Sequence, residues 1–333
     1  MLIKKAIKLN EKDRKILHEL DIDARQSLLQ IGNKVGLSMQ SVKRRVDILM
    51  KKGILTGFLT VINTEKLGYT FFNIYFKTNF TSCEAEQDFV NYLKAHPNVG
   101  WFASFSGAWS MKAGIMACDR QHFNDISQEI SNRLGKNLID STTTEPIAAY
   151  VCKHKFLDDT KIMDGGFYHI TCPVELDSQD WKILSLVDAN PRISLVDIGK
   201  ETKTAHTVVS YRLKRLIQSG VIQEFRPIID LQKLGYQWYH VKFRFQNITE
   251  EDKKRFIAYL KAHPKVFYII DLIGACNLVA EFLTDGGNDF SEIMNTLKAQ
   301  FPDMIHSYEP LLITKEHKHS YFPKDIIQNE NAN

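Results

Sequence analysis

Residues 38–53 read SMQSVKRRVDILMKKG, and the fold turns on how that run is wound. It begins at a serine able to cap a helix and ends at a glycine able to stop one. At about 100° per residue it gathers Val42, Val46 and Leu49 on one face, flanked by Met39 and Met50. Gln40, Arg44 and Lys51 fall opposite, and Lys43 and Arg45 take the shoulders. A helix with one apolar side and a row of cations on the other suits the major groove of duplex DNA. A solvated charged face is the commoner fate of such a helix, so its setting decides. A shorter helix over 27–35 precedes it, a tight turn at Gly36-Leu37 joins the two, and 54–62 reads as a β-hairpin wing. That order is helix-turn-helix.

The 333 residues are enough for two to four compact units. No apolar run reaches the length of a membrane span, and the opening MLIKKAIKLNEKDRK lacks the apolar core of a secretion signal. Five cysteines (Cys83, Cys118, Cys152, Cys172, Cys276) are odd in number, widely spaced and without a Cys-x-x-Cys pair. That points to a reducing cytoplasm and away from a disulfide framework or structural zinc. The expectation is a cytoplasmic protein with no membrane contact, no metal and no cofactor. Net charge is +4, but residues 1–57 carry thirteen Lys or Arg against six Asp or Glu, whereas 175–232 carry eight of each. A clustered cationic excess of that kind attracts a phosphate backbone.

The chain repeats itself at an offset of 176 − 9 = 167 residues. Leu9, Asp13, Ile16 and Leu17 meet Leu176, Asp180, Ile183 and Leu184; Arg25, Ser27 and Gly32 meet Arg192, Ser194 and Gly199. Val42, Arg45, Leu49 and Gly53 meet Val209, Arg212, Leu216 and Gly220, and the hexapeptide YLKAHP stands at 92–97 and again at 259–264. One unbroken offset over that span marks a duplicated module.

Each copy divides in two. The first part is helical with a terminal hairpin; the second alternates. Residues 69–77 (YTFFNIYFK) are aromatic and β-branched, hence a strand, and 83–96 have helical spacing up to Pro97. Strands over 99–105 and 111–117, a helix over 121–134 and a last strand over 138–151 complete a β-α-β-β-α-β order. That order is the ferredoxin-like sandwich, an antiparallel sheet with both helices on one face. The expected fold is therefore α+β, a tandem duplication of a winged helix-turn-helix plus a ferredoxin-like βαββαβ domain. The divisions fall at 1–68 and 69–157 for the first copy, 158–174 for a linker, 175–235 and 236–323 for the second copy, and 324–333 for a polar tail. Asp158-Asp159 and Gly165-Gly166 give the linker its character, with Phe167 and Tyr168 able to add a strand to a sheet edge.

The runs NEKDRKIL and DARQSLLQIGNKVGLSMQSVKRRVDILMKKGIL resemble the DNA-binding half of the leucine-responsive regulator/AsnC (feast/famine) family. The βαββαβ unit looks like that family's effector-binding and oligomerisation domain. The resemblance spans nearly the whole chain, taken twice, and is looser in the second head, where Lys203-Thr204-Ala205 replaces Gly36-Leu37-Ser38. It implies a transcription regulator that is not an enzyme. Single-copy members dimerise through the βαββαβ domain and bind amino acids or related small effectors at subunit contacts. Two fused copies would build that dimer within one chain, which could pair further into a homodimer or higher homo-oligomer. Two recognition helices would then meet an imperfect palindrome in double-stranded DNA.

The expected DNA contacts are Ser38, Gln40, Ser41, Lys43, Arg44, Arg45, Lys51 and Lys52 in the first copy, and Thr207, Ser210, Tyr211, Lys214 and Arg215 in the second. Tyr211 stands where Arg44 does, and a tyrosine cannot fork onto guanine, so the two halves should read different sequence. Arg25 and Arg192 suit a structural role between helices. The family's effector loop reads glycine, two variable residues, then aspartate. Here the loops are Gly107-Ala108-Trp109-Ser110 and Gly274-Ala275-Cys276-Asn277. Both glycines stand and both aspartates are missing, which removes the natural partner of a ligand ammonium. Ser110 and Asn277 can still hydrogen-bond a ligand; a plain turn that needs positive φ is the other reading.

Two rivals stay open. Sirohaem decarboxylases share this architecture, and His154, His169, His240, His306, His317 and His319 are candidate histidines, scattered and without a carboxylate or cysteine at catalytic spacing. His317-x-His319 could ligate a metal on a strand; a solvated end is the plainer reading. The other rival is an architectural DNA binder with no effector.

Overall fold

Asn10, Ser27 and Ser38 each set a side-chain oxygen on an early backbone amide and so start α1 (Glu11–Ile22), α2 (Leu28–Val35) and α3 (Met39–Lys51). Gly36 ends α2 at φ +68°, where other residues are strained. Gly32 is required for a different reason: a Cβ there would stand 2.5 Å from the Leu37 carbonyl oxygen. Ile16, Leu17, Leu20, Ile31, Val42 and Leu49 close the core of this head. The computed structural model describes residues 6–157, 167–169 and 171–325; part of the expected linker and most of the expected polar tail lie outside them.

After the head come β1 (Leu55–Ile62), β2 (Thr70–Thr78), α4 (Cys83–Ala95), β3 (Val99–Ser106), β4 (Met111–Ala117), α5 (Arg120–Leu134) and β5 (Leu138–Val151). A short β6 (Phe167–His169) adds to β5 at Ala148–Tyr150, as Phe167 and Tyr168 suggested. The second copy repeats the order as α6 (Ser178–Ala189), α7 (Leu195–Thr202), α8 (His206–Gln218), β7 (Ile222–Ile229), β8 (Gln237–Phe245), α9 (Glu250–Ala262), β9 (Val266–Gly274), β10 (Leu278–Thr284), α10 (Gly287–Gln300) and β11 (Ile305–His319).

The wing corrects the sequence reading. Residues 54–62 form no hairpin of their own; β1 pairs antiparallel with β7 of the other copy, in a register that includes Leu59↔Arg226 and Thr60↔Phe225. The strand has no reversing turn, since the short 3-10 turn at Thr64–Leu67 leads straight into β2. Each wing strand also packs on the opposite head. Ile229 and Leu231 join the core of α1–α3, while Ile62 and the partly buried Phe58 join that of α6–α8. Thr60 Oγ1 donates to the Val187 carbonyl at 2.5 Å.

Arginines complete the exchange. Arg25 donates to the carbonyls of Pro191 (2.7 Å) and Ile193 (2.9 Å) and lies over the Phe225 ring; Arg192 donates to the carbonyls of Ala24 and Gln26 and lies over the Phe58 ring. The two contacts are related by the same 167-residue offset, so the heads are held about a pseudo-two-fold axis.

The eight long strands of the βαββαβ units close on themselves. Each unit has its four-stranded sheet, β5-β2-β4-β3 and β11-β8-β10-β9. The last strand of each is long enough to serve both. β5 pairs with β2 through its first half and β9 through its second, and β11 pairs with β8 and then β3. Closure leaves no sheet edge in the ring and encloses an interior between the two sheets. Helices α4 and α5 cover the first sheet and α9 and α10 the second, each over its own aromatic core.

Candidate nucleic-acid interface

Val42 and Leu49 are buried, so α3 turns its other side outward. Gln40, Lys43, Arg44, Lys51 and Lys52 are exposed, and the first four line one open groove with Asp47 and Ile48. Ser38 and Ser41 start the helix: Ser38 Oγ accepts from the Ser41 amide (3.2 Å) and donates to Ser41 Oγ (2.9 Å). Arg45 departs from the expected contact set. Its guanidinium donates to Asp13 at 2.8 Å and Asn10 at 3.3 Å, tying α3 to the start of α1.

The second recognition helix offers less charge. Thr207, Tyr211 and Lys214 are exposed and Ser210 is half-buried. Arg215 is exposed and donates to Asp180, which also receives Arg212 at 2.9 Å. Asp180 is fully buried, and a buried carboxylate must be paired, so two arginines of α8 are drawn to it. The counterpart of Arg215 in α3 is Ile48, one offset earlier, and makes no such demand. The start of α8 is weaker too. Its capping position is Ala205, which has no side-chain oxygen, and Lys203 holds φ +53° where the first copy has Gly36.

The expected effector loops have work within the fold. A Cβ on Gly107 would meet Leu311 of the other copy's β11 at 2.8 Å, and one on Gly274 would meet the Thr143 carbonyl of β5 at 2.8 Å. Ser110 Oγ accepts from the Thr78 amide (3.1 Å), and Asn277 Oδ1 accepts from the Phe245 amide (2.8 Å). Ala108 is exposed, Ala275 half-buried, Trp109 packs inward with its ring 5.0 Å from the Lys242 ammonium, and Cys276 is buried.

Two of the candidate histidines, His240 and His154, have carboxylate partners that sequence spacing does not show. His240 Nδ1 faces Glu281 at 2.8 Å and its Nε2 faces the Tyr75 hydroxyl at 2.8 Å; Trp238 Nε1 donates to Glu281 at 3.0 Å. Burial and the neighbouring Lys112 cation push His240 down to about 4, so at neutral pH the ring donates from Nδ1 and accepts at Nε2. Nearer the heads, Asp21 of α1 accepts from the His154 amide (2.7 Å) and from Arg226 of β7 (2.8 Å), with His154 Nδ1 at 2.8 Å. Burial alone would raise the Asp21 carboxyl; Arg226 and His154 overcome it and hold it far below the usual carboxylate range. The signal in sequence was a charged or imidazole residue at an inward position of an apolar strand, as Lys112 is in MKAGIMA and His240 in WYHVKF.

The remaining candidate histidines have protein partners. His317 Nε2 lies 2.8 Å from Ser104 Oγ, His319 Nδ1 lies 3.1 Å from Glu316, and exposed His306 lies 2.9 Å from Gln246. The side chain of His169 is outside the described residues. Among the described residues no helix is long and apolar enough to cross a membrane.

Known proteins match this chain in sequence and in fold. Residues 9–50 match the AsnC-type helix-turn-helix domain, and 176–223 match a winged helix-turn-helix DNA-binding model. The HTH-type transcriptional regulator LrpA of Pyrococcus horikoshii is 36% identical over 136 residues, covering 40% of this chain and 91% of the relative. The HTH-type transcriptional regulator Rv2324 of Mycobacterium tuberculosis is 30% identical over 146 residues, covering 40% and 96%. Among solved structures, the siroheme decarboxylase NirDL superposes with a TM-score of 0.63 at 15% identity over 97% of this chain and 99% of its own, and so shares the two-copy fold. With regulators of one copy's length matched almost end to end and a helix-turn-helix in each half, the chain belongs to the Lrp/AsnC family of DNA-binding transcription regulators.

Proposed function

We propose that this chain supplies both halves of a regulator dimer from one polypeptide and reads two unlike half-sites of duplex DNA with α3 and α8. The observation that carries the reading is the reciprocal Arg25 and Arg192 contact, which sets the two heads about one axis while leaving α3's cations outward. Lys43, Lys51 and Lys52 hold phosphates, Gln40 and Arg44 reach base edges, and the first half-site supplies most of the electrostatic affinity. Selection from random duplex followed by footprinting tests this. The expected site is asymmetric, in two parts about ten base pairs or a multiple of that apart. Retention that is indifferent to salt, or a footprint of one half-site only, would overturn it. A thermal-shift screen of the twenty amino acids tests the loops at 107–110 and 274–277: a reproducible rise identifies a sensor, and silence favours an architectural binder.

A second reading, an enzyme of the sirohaem-decarboxylase kind, draws on one observation. The fold likeness to NirDL covers 97% of the chain, and the hollow between the ring of strands and the β1–β7 ribbon has His154, His319 and Arg226 on its wall. Incubation of the purified chain with sirohaem decides it: carbon dioxide release supports the enzyme, and the absence of both release and a bound Soret band removes it.

A further inference from the structure

The hollow between the ring of strands and the β1–β7 ribbon is a partly enclosed cavity of about 140 Å³, walled by residues of both copies. Much of its lining is apolar, with Phe71, Trp101, Trp238, Phe267 and Ile270 among its walls. Three polar side chains on that wall stand out because they are buried and unanswered. Asn73 is 2% exposed and Thr64 1%, and neither the Asn73 Nδ2 nor the Thr64 Oγ1 has a hydrogen-bond partner. Lys112 is 4% exposed; its ammonium lies over the faces of Trp101 (4.7 Å) and Tyr75 (5.7 Å), and among the described residues no carboxylate or carbonyl accepts from it.

These groups are placed together by the sheet. Asn73 pairs with Gly114 and Tyr75 with Lys112 across β2 and β4, so Asn73 and Lys112 share the inward face as diagonal neighbours, about 7–8 Å apart at the backbone. An orphaned buried donor costs free energy, and a buried ammonium costs more, so keeping both on one wall calls for an acceptor that the chain does not supply. The carboxylates nearby already carry donors: Glu281 holds His240 and Trp238, and Glu316 holds Trp101 and His319. The wall therefore offers unanswered donors to a ligand and no unclaimed carboxylate to a ligand amine.

The other copy shows what a closed version looks like. One offset on, the counterpart of Asn73 is His240, which is fully bonded, and that of Lys112 is Val279, which is apolar. The open donors stand on one side only, so the cavity is built for one ligand per chain.

We propose that the cavity binds a small monocarboxylic acid with an apolar body, its carboxylate received by Lys112 and Asn73 and its body held among Trp101, Trp238 and Phe71. The site lies apart from the loops at 107–110 and 274–277 and does not depend on the DNA-binding reading.

Calorimetric titration and thermal shift of the full chain at pH 7 test it, using phenylacetate, 3-phenylpropanoate and octanoate, each against its uncharged amide, with phenethylamine as the cationic control. At least one acid should bind one-to-one, raise Tm and quench tryptophan fluorescence. Its amide should bind roughly tenfold more weakly or worse, the loss expected when a charge-assisted hydrogen bond is removed. Lys112→Met should erase the preference for acid over amide while the chain stays folded, and Asn73→Leu should weaken the acid several-fold. Equal binding of acid and amide, undiminished acid affinity in Lys112→Met, or no response to any acid at millimolar concentration would overturn the proposal.

Discussion

Single side chains divide here into those turned to solvent and those held inside. Arg44 is exposed on α3 with its fork available, so Arg44→Ala should cost about 1–3 kcal/mol and relax one base position. Lys52→Ala should weaken all sequences alike and flatten the salt slope by roughly one unit. Footprinting of both variants on one operator at two salt concentrations checks the pair, and uniform losses from Arg44→Ala would count against its base contact. Inside, the buried ammonium of Lys112 is a source of instability. Burial pushes it down to about 8 from 10.5, so the unfolded chain binds more protons between those values and stability should rise with pH across that window. Below pH 8 the penalty is on the order of 3 kcal/mol, offset by the two ring contacts. Lys112→Met should then stabilise the empty chain by roughly 1–3 kcal/mol at pH 7 and lose this part of the slope. Lys318, also lowered to about 8 by burial, contributes a similar slope in both proteins. The comparison of urea midpoints between pH 7 and 10.5 must therefore be made as a difference between wild type and variant.

At the level of elements, α3 and α8 occupy the same place in two copies but start differently. Lys203 holds a left-handed conformation costing about 1 kcal/mol in a residue with a Cβ, and Ala205 forgoes a cap of similar worth. The double variant Lys203→Gly/Ala205→Ser should therefore stabilise the second head by roughly 1–2 kcal/mol, read as slower hydrogen exchange of α8 amides. Gly36→Lys in the first head should do the reverse, and an unchanged α8 would sink the account. These local features were legible in sequence, because caps, turn glycines and the 3.6 period depend on neighbours. The helices over 27–35 and 38–53 and the alternation of β2 were read on that basis. The wing is not legible in sequence because pairing of β1 with β7 joins residues about 167 apart, and no local pattern distinguishes a hairpin arm from a strand that crosses to another copy. The ion pairs of Arg45 and Arg215 are hidden from the sequence for the same reason. Helical spacing places them at the edge of the outward face, and only the fold brings Asp13 and Asp180 within reach.

In the whole molecule, the two heads are coupled at three levels: exchanged wing strands, reciprocal arginines and the Asp21–Arg226 pair that joins α1 to β7. The arginines are the level most directly tied to spacing. Each reaches from one head into the turn of the other, donates to two carbonyls and covers an aromatic ring at 5.2 Å. Charged donors on carbonyls contribute about 1.5–3 kcal/mol each when they are lost from a buried setting, less at half-buried sites such as these. Arg25→Ala/Arg192→Ala should leave α3 and its cations intact, so affinity for a duplex carrying one half-site should not change. On a duplex carrying two half-sites the outcome differs. Rigid heads make the second contact effectively intramolecular, and loosening them lowers its effective concentration, so affinity should fall by about tenfold or more. The preference for one half-site spacing should broaden as well, because misplaced half-sites are penalised only while the heads resist moving. Gel-shift titrations on one-site duplexes and on two-site duplexes of stepped spacing separate these effects. Equal losses on both kinds of duplex would mean that the arginines support the fold of each head and do not set the distance between them.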